Sequence, residues 1–334
     1  MTDAVVLSGA VTMGAFTAGA LAALTSPDAR EHLRLDVRRI VAASSGALNA
    51  AYYASAICAG TDLDAGLRLT QIWLEEGTVS GGFAVSPRGV ITARGISSDA
   101  KLLALLREHV RPLPAPRRPI EVRFIVSTTR GATRSIAGHA ATTFEVVRTF
   151  DESAFATDDS LDAMFQTIAA SSAFPGIYEP VPLTIDGEIH DCVDGGVTSN
   201  APVREAIGDD RDVDRLFVIL PYPRLVAPST DLHGLALVAR IAQMLVQERL
   251  VRDLEDAYDV NLALARLEAL EPDEARRAPI LDALGWSKRR AIEIIEIRPE
   301  HPLEGNAFSG LFSRDLRVAY SEAGSLAAKH ALGL

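Results

Sequence analysis

Apolar residues fall along this chain in short unbroken runs separated by small and polar ones, a pattern that predicts buried strands alternating with helices. Residues 4–7 read as such a strand, 8–14 as a loop and 15–24 as an alanine-rich helix. A second apolar run passes through small residues at 42–47 directly into another helix-forming stretch. Residues 63–76 carry the spacing of an amphipathic helix, and the Gly-, Ser- and Pro-rich stretch 77–95 reads as a loop of lid character. A helix is predicted over 98–109 with Ser98 or Asp99 as its cap, followed by a proline-rich connector at 111–119. Strands are expected at 122–128, 136–137, 216–220 and, as a returning edge, 292–297, with helices at 161–171 and 311–332. This alternation predicts an α/β fold with a mixed, largely parallel sheet and helices on both faces.

Residues 232–269 change character and read as one long helical run rich in Leu, Ala and Arg/Glu pairs. The expected organisation is an α/β core over 1–225, a helical insertion or arm over 226–290, and a strand and helix over 291–334 that return to the core. Leu237, Ile241, Leu245 and Leu264 form an apolar stripe on the arm, expected to pack on the sheet, with a homodimer or lipid interface as the sharper reading.

The candidate chemistry begins at Ala42-Ala43-Ser44-Ser45-Gly46, where an apolar strand meets a helix through small residues only. A nucleophile at a strand-to-helix turn needs small neighbours two before and two after it, and the helix that follows directs its amides and positive end at the site. Ser44 has Ala42 and Gly46 in those places, and Ser45 has Ala43 and Ala47. Ser44 is preferred because glycine tolerates positive φ or close packing after the turn. Serines that merely cap the helix are the competing reading.

Two further segments join it. In Asp191-Cys192-Val193-Asp194-Gly195-Gly196 the aspartate precedes two glycines, so Asp194 can project from a tight turn. Between the first strand and helix, Ser8-Gly9-Ala10-Val11-Thr12-Met13-Gly14 offers backbone N–H groups to a developing oxyanion. A phosphate-cradling loop is the alternative, but the segment lacks the Lys-Ser/Thr of a P-loop and the three-glycine dinucleotide pattern.

In this order the three segments resemble the patatin-like phospholipase family, whose pattern is a Gly-rich oxyanion loop, a Gly-x-Ser-x-Gly elbow and a later Asp-Gly-Gly/Ala. Gly46-Ala47-Leu48-Asn49-Ala50 and Ala170-Ser171-Ser172-Ala173-Phe174-Pro175-Gly176 extend the likeness, which runs from about Val5 to about Val203 and more weakly over residues 308–328. The resemblance implies a three-layer α/β/α fold and a histidine-free Ser44–Asp194 dyad with a covalent acyl-serine intermediate. The backbone of Gly9, Ala10 and Val11 would form the oxyanion hole, and Ala42, Gly46, Gly195 and Gly196 would support the elbow and turn. It implies a phospholipid or other acyl-ester substrate, no metal and no organic cofactor. The chain departs from the family pattern at Ala10 and Val11 in place of glycines, at Met13 in place of a cation, and at Ala42 in place of the first elbow glycine. These departures define the alternative expectation, a weak or inactive lipid-binding scaffold on the same fold.

Partial burial beside Cys192 and Val193 is expected to raise the Asp194 pKa toward neutrality. The seven histidines lack metal-site spacing, and His190, four positions before Asp194, is expected to be a bystander. The net charge of −11 argues against nucleic acid as a partner and against global attraction to an anionic membrane, both surfaces being negative themselves. The arginines at 34, 38 and 39 and at 111, 117 and 118 are expected to be solvated surface charge, with lipid headgroups as the sharper reading. Residues 4–27 and 41–61 carry no charge over a span-like length, yet each divides into strand, turn and helix, so a soluble core explains them. The two cysteines and the absence of a positive n-region lead to an expected cytoplasmic protein with transient contact at a membrane surface.

Overall fold

A computed structural model describes residues 2–92, 94–115, 117–136, 138–208, 212–225 and 234–334, without side chains at 136, 234–243, 245 and 246. Its eight-stranded sheet comprises β1 (Asp3–Leu7), β2 (Val37–Ala42), β3 (Glu121–Ile136), β4 (His139–Phe150), β5 (Val181–Ile185), β6 (Glu188–Asp194), β7 (Arg215–Ile219) and β8 (Glu293–Ile297). The order is β8-β7-β1-β2-β3-β6-β5, with β4 also paired to β3. The strands from β8 to β3 run parallel, while β4, β5 and β6 pair antiparallel. The expectation of an α/β fold with a mixed, largely parallel sheet therefore holds.

Both faces of the central strands are covered, which is why their sequences are unbroken apolar runs. Val5, Leu7, Ile40 and Ala42 pack into one core with helices α1 (Gly14–Leu24), α2 (Ser45–Ala59), α3 (Ala65–Glu76), α4 (Ala100–His109) and α5 (Asp158–Ser171). Ala4, Val6, Val41 and Ala43 face the other way, toward Leu250, Leu254 and Ala257 of the long helix α6 (Gly234–Leu270). Leu250, Leu254 and Ala257 recur at helical spacing and seat α6 on the sheet. Leu264 is half-buried, and the side chains of Leu237, Ile241 and Leu245 lie outside the described residues. The closing helix α7 (Arg314–Leu332) returns to the first core through Tyr320 and Ala328. Among the described residues no helix is long and apolar enough to cross a membrane.

Several expectations change. The strands expected at 122–128 and 136–137 are parts of one strand, β3, whose pairing with β4 shifts register between Ser127 and Ala132; Ala137 lies outside the described residues. Residues 77–95 are not a bare loop. They hold short helices at Val79–Gly82 and Pro87–Thr92, and Ala84–Val85 pairs with Ser97–Ser98. Asp99 stands at the N-cap of α4 without a side-chain cap bond. Arg39 is not surface charge: it is 9% exposed and held by Glu121 and Asp212, which arrive from distant segments.

One buried ion pair ties neighbouring strands. Asp3 lies opposite Arg215, and its carboxylate accepts from Arg215 Nε at 2.7 Å and Nη2 at 2.8 Å. Arg215→Ala leaves a fully buried carboxylate without its cation, so we expect a loss of about 3–5 kcal/mol, read as a lower urea midpoint at constant m-value. A change under about 1 kcal/mol would mean that the pair adds no net stability to the fold.

Candidate active site

Leu7 of β1 lies opposite Ala42 of β2, so the loops leaving the two strands emerge side by side. Ser44 occupies the turn from β2 to α2 with φ 54° and ψ −134°. For a non-glycine residue such a backbone costs about 1–3 kcal/mol and persists only when its surroundings enforce it. Two serines from the end of α5 do so. The Ser44 N–H donates to Ser171 Oγ at 3.1 Å, and Ser172 Oγ donates to the Ser44 carbonyl at 3.0 Å. Gly46 is required by proximity, because a Cβ there would stand 2.2 Å from the Leu7 carbonyl oxygen.

Sheet pairing brings Asp194 to the same point. On one edge β3 pairs with β2 through Phe124 and Ala42, then with β6 through Val126 and Asp194, while β4 pairs along the other edge. β6 thus ends where β2 has just stopped. Ser44 Oγ donates to Asp194 Oδ2 at 2.6 Å, and the Gly196 N–H donates to Oδ1 at 2.7 Å. Asp194 is 2% exposed. Desolvation pushes its carboxyl from 3.8 up to about 6, against the opposing pull of the hydrogen bonds from Ser44 and Gly196. Ser45 points elsewhere: its Oγ accepts from the Ala10 N–H at 3.0 Å.

The loop after β1 is braced on both sides. The Gly9 N–H donates to the Asn200 carbonyl at 3.3 Å, and Asn200 Nδ2 donates to the Gly9 carbonyl at 2.8 Å. Tyr222 adds a longer bond to the same carbonyl at 3.5 Å, and burial followed by the Asp194 charge pushes its hydroxyl up to about 12. Thr12 and Met13 donate their N–H groups to Ala307 and Ala10. Of the three expected oxyanion-hole residues, Gly9 and Ala10 have their N–H groups engaged within the protein. The Val11 N–H meets no acceptor among the described residues. Ala10 is extended at φ −166°, whereas Val11 sits at φ 49°, so the penalty for losing the family's glycines falls on Val11 alone. Met13, at the position of the family's cation, is buried in the core. Val11→Gly is expected to stabilise by about 1 kcal/mol with activity retained, measured by thermal unfolding and ester turnover. Loss of stability would mean that the valine side chain's packing outweighs the strain.

Ser44, Asp194 and Val11 border a cavity of about 120 Å³ walled mainly by apolar side chains, among them Leu48, Ile72, Trp73 and Phe83. His109 and Glu76 also line it, with His109 Nε2 2.6 Å from Glu76 Oε1, and Glu108 completes a cluster whose ligand atoms lie within 4.8 Å of one another. Sequence spacing gave no sign of that cluster, because its members come from the ends of two helices. His190 is buried and bonds to Thr128 Oγ1 at 2.9 Å. Ser171, Ser172, Asn200 and Tyr222 were not singled out from the sequence. Ser171 and Ser172 lie in a segment flagged only for likeness, and Asn200 in the Asn-Ala-Pro that follows the aspartate turn.

The largely parallel sheet, the elbow that follows β2 and the apolar cavity beside it define an α/β protein with a buried serine–carboxylate pair bordering an apolar cavity. The profile of the patatin-like phospholipases matches residues 5–207, well over half of the chain, and the chain belongs to that family, which at family level is one of lipid acyl hydrolases. No curated protein matches it. Among solved structures, the crystal structure of VipD from Legionella pneumophila is similar at 12% identity and a TM-score of 0.37. The alignment covers 99% of this chain and 66% of VipD, so the chain spans just under two thirds of that protein's length.

Proposed function

We propose that the protein hydrolyses phospholipids or related acyl esters through an acyl-Ser44 intermediate, with Asp194 as the only general base. The carrying observation is the buried 2.6 Å hydrogen bond from Ser44 Oγ to Asp194 Oδ2 in the wall of an apolar cavity. In acylation Asp194 takes the hydroxyl proton while Oγ attacks the ester carbonyl. The negative charge that gathers on the carbonyl oxygen is met by the Val11 N–H and the positive end of α2. Collapse of this intermediate breaks the ester C–O bond, and Asp194 returns the proton to the departing alcohol. Water then attacks the acyl-serine, gives its proton to Asp194 and releases the fatty acid as that proton passes back to Ser44. A base raised to about 6 suits this work better than an ordinary carboxylate, because it holds the transferred proton longer yet is ionised at neutral pH.

One observation favours a second reading, a lipid-binding protein without turnover: in the loop a single N–H, that of strained Val11, meets no acceptor among the described residues. Reaction with a fluorophosphonate probe followed by peptide mass mapping separates the two. We expect stoichiometric labelling at Ser44. Labelling at Ser45 would reassign the nucleophile, and folded but unlabelled protein would favour the binding reading.

A further inference from the structure

Two segments that border the cavity carry arginine and no acidic side chain. Residues 77–98 hold Arg88 and Arg94 and no acidic residue, and residues 305–314 hold Arg314 and no acidic residue, although the chain carries 44 Asp and Glu. Gly77, Gly82 and Phe83 of the first and Phe308 and Leu311 of the second line the cavity. Aromatic contacts continue around it: Phe83 stacks on Tyr178 at 5.3 Å, and Phe174 meets Phe308 edge-on at 5.7 Å.

The outer side of the same segments is apolar. Val85 is 82% exposed, Ile91 84% and Phe312 80%. Large side chains this exposed, in segments whose other residues line an apolar cavity, mark an interaction surface. Arg94 is bound to Asp191, but Arg88 and Arg314 have no ion-pair partner among the described residues. Exposed apolar side chains beside unpaired guanidinium groups match a phospholipid surface, where aliphatic and aromatic groups enter the acyl boundary and arginines meet phosphates.

We propose that residues 77–92, 94–98 and 305–314 form the face that docks on a phospholipid bilayer, with Val85, Ile91 and Phe312 entering it and Arg88 and Arg314 contacting headgroup phosphate. An acyl chain would then pass from the bilayer into the cavity without crossing open water. This inference rests on the hydrolase reading for its purpose but not for its test.

The test uses full-length Ser44→Ala protein, which cannot turn over lipid, and flotation with phosphatidylcholine vesicles with and without phosphatidylglycerol. We expect co-flotation that strengthens with the anionic lipid. It should fall about tenfold or more on V85D/I91D/F312D and less on R88Q/R314Q, the latter chiefly with anionic vesicles. In the Ser44 background the V85D/I91D/F312D protein should hydrolyse a soluble butyrate ester at the wild-type rate, which also shows that it is folded, while its rate on vesicles falls. Flotation unchanged by V85D/I91D/F312D would overturn the proposal. So would a concentration-dependent dimer, seen by light scattering and dissolved by the same substitutions, because a second copy would then be what covers the face. Vesicle binding without any ester turnover would remove the hydrolase reading and leave the surface standing; ester turnover without vesicle binding would do the reverse.

Discussion

Asp194→Asn is expected to lower kcat/KM by about 10²–10⁴-fold and, in the same protein, to raise stability at pH 8. Both follow from a carboxylate that is 2% exposed and, among the described residues, has no cation beside it. Ionising it in the fold costs more than ionising it in the unfolded chain, so its pKa rises from 3.8 to about 6. The sign follows from linkage. A group with a raised folded-state pKa favours the fold fully below its unfolded value, and that contribution is lost as the pH rises through the folded value. At pH 8 Asp194 is ionised in both states and the fold bears the whole difference. Asparagine removes it, for a gain of about 1–3 kcal/mol that shrinks toward pH 4. Denaturant unfolding of both proteins at the two pH values measures this, and a gain independent of pH would mean that the carboxylate's charge is not its source. The wild-type rate should correspondingly fall about tenfold per unit below a pH of about 6 and stay level above it. Retained esterase activity in Asp194→Asn would remove Asp194 from the mechanism.

Gly9→Ala is expected to lower kcat by about 10²–10³-fold while the chain still folds. A Cβ at this position would stand 2.3 Å from Ser44 Cβ and 2.6 Å from Asn200 Oδ1. Neither neighbour can yield freely. Ser44 is clamped by Ser171 and Ser172, and Asn200 is bonded to the same loop residue through both its carbonyl and its amide. The loop must therefore move away from the nucleophile and take the Val11 N–H with it. Overpacking of this kind costs about 1–3 kcal/mol, which a chain with this much buried core survives. Circular dichroism would confirm the fold, and full activity would show that the loop plays no part in the reaction.

Ser44 and Gly9 were legible in the sequence for different reasons. Ser44 stood out because a strand-to-helix turn restricts its neighbours to small residues, a constraint written within five positions. Gly9 stood out only as part of a loop between strand and helix; the contact that makes it indispensable reaches Asn200, far along the chain. Strand β4 was not seen at all. It pairs with β3 on one side and is largely half-exposed, so its mixture of Ala, Thr and Val carries neither the unbroken apolar run of the central strands nor strict alternation. Arg39 misled for a related reason, since Glu121 lies opposite it only once β2 and β3 have paired, and Asp212 arrives from the segment before β7.

The sequence by itself determined the fold class, the elbow, the aspartate turn and the loop between the first strand and helix, because each is a local backbone requirement met by residues a few positions apart. Tertiary structure alone decided which serine meets the aspartate, since β6 runs antiparallel to β3 and ends beside Ala42. It also decided which loop N–H stays free, and how far burial raises the Asp194 pKa. Those properties depend on distances and desolvation set by segments more than a hundred residues apart, and no spacing along the chain encodes them.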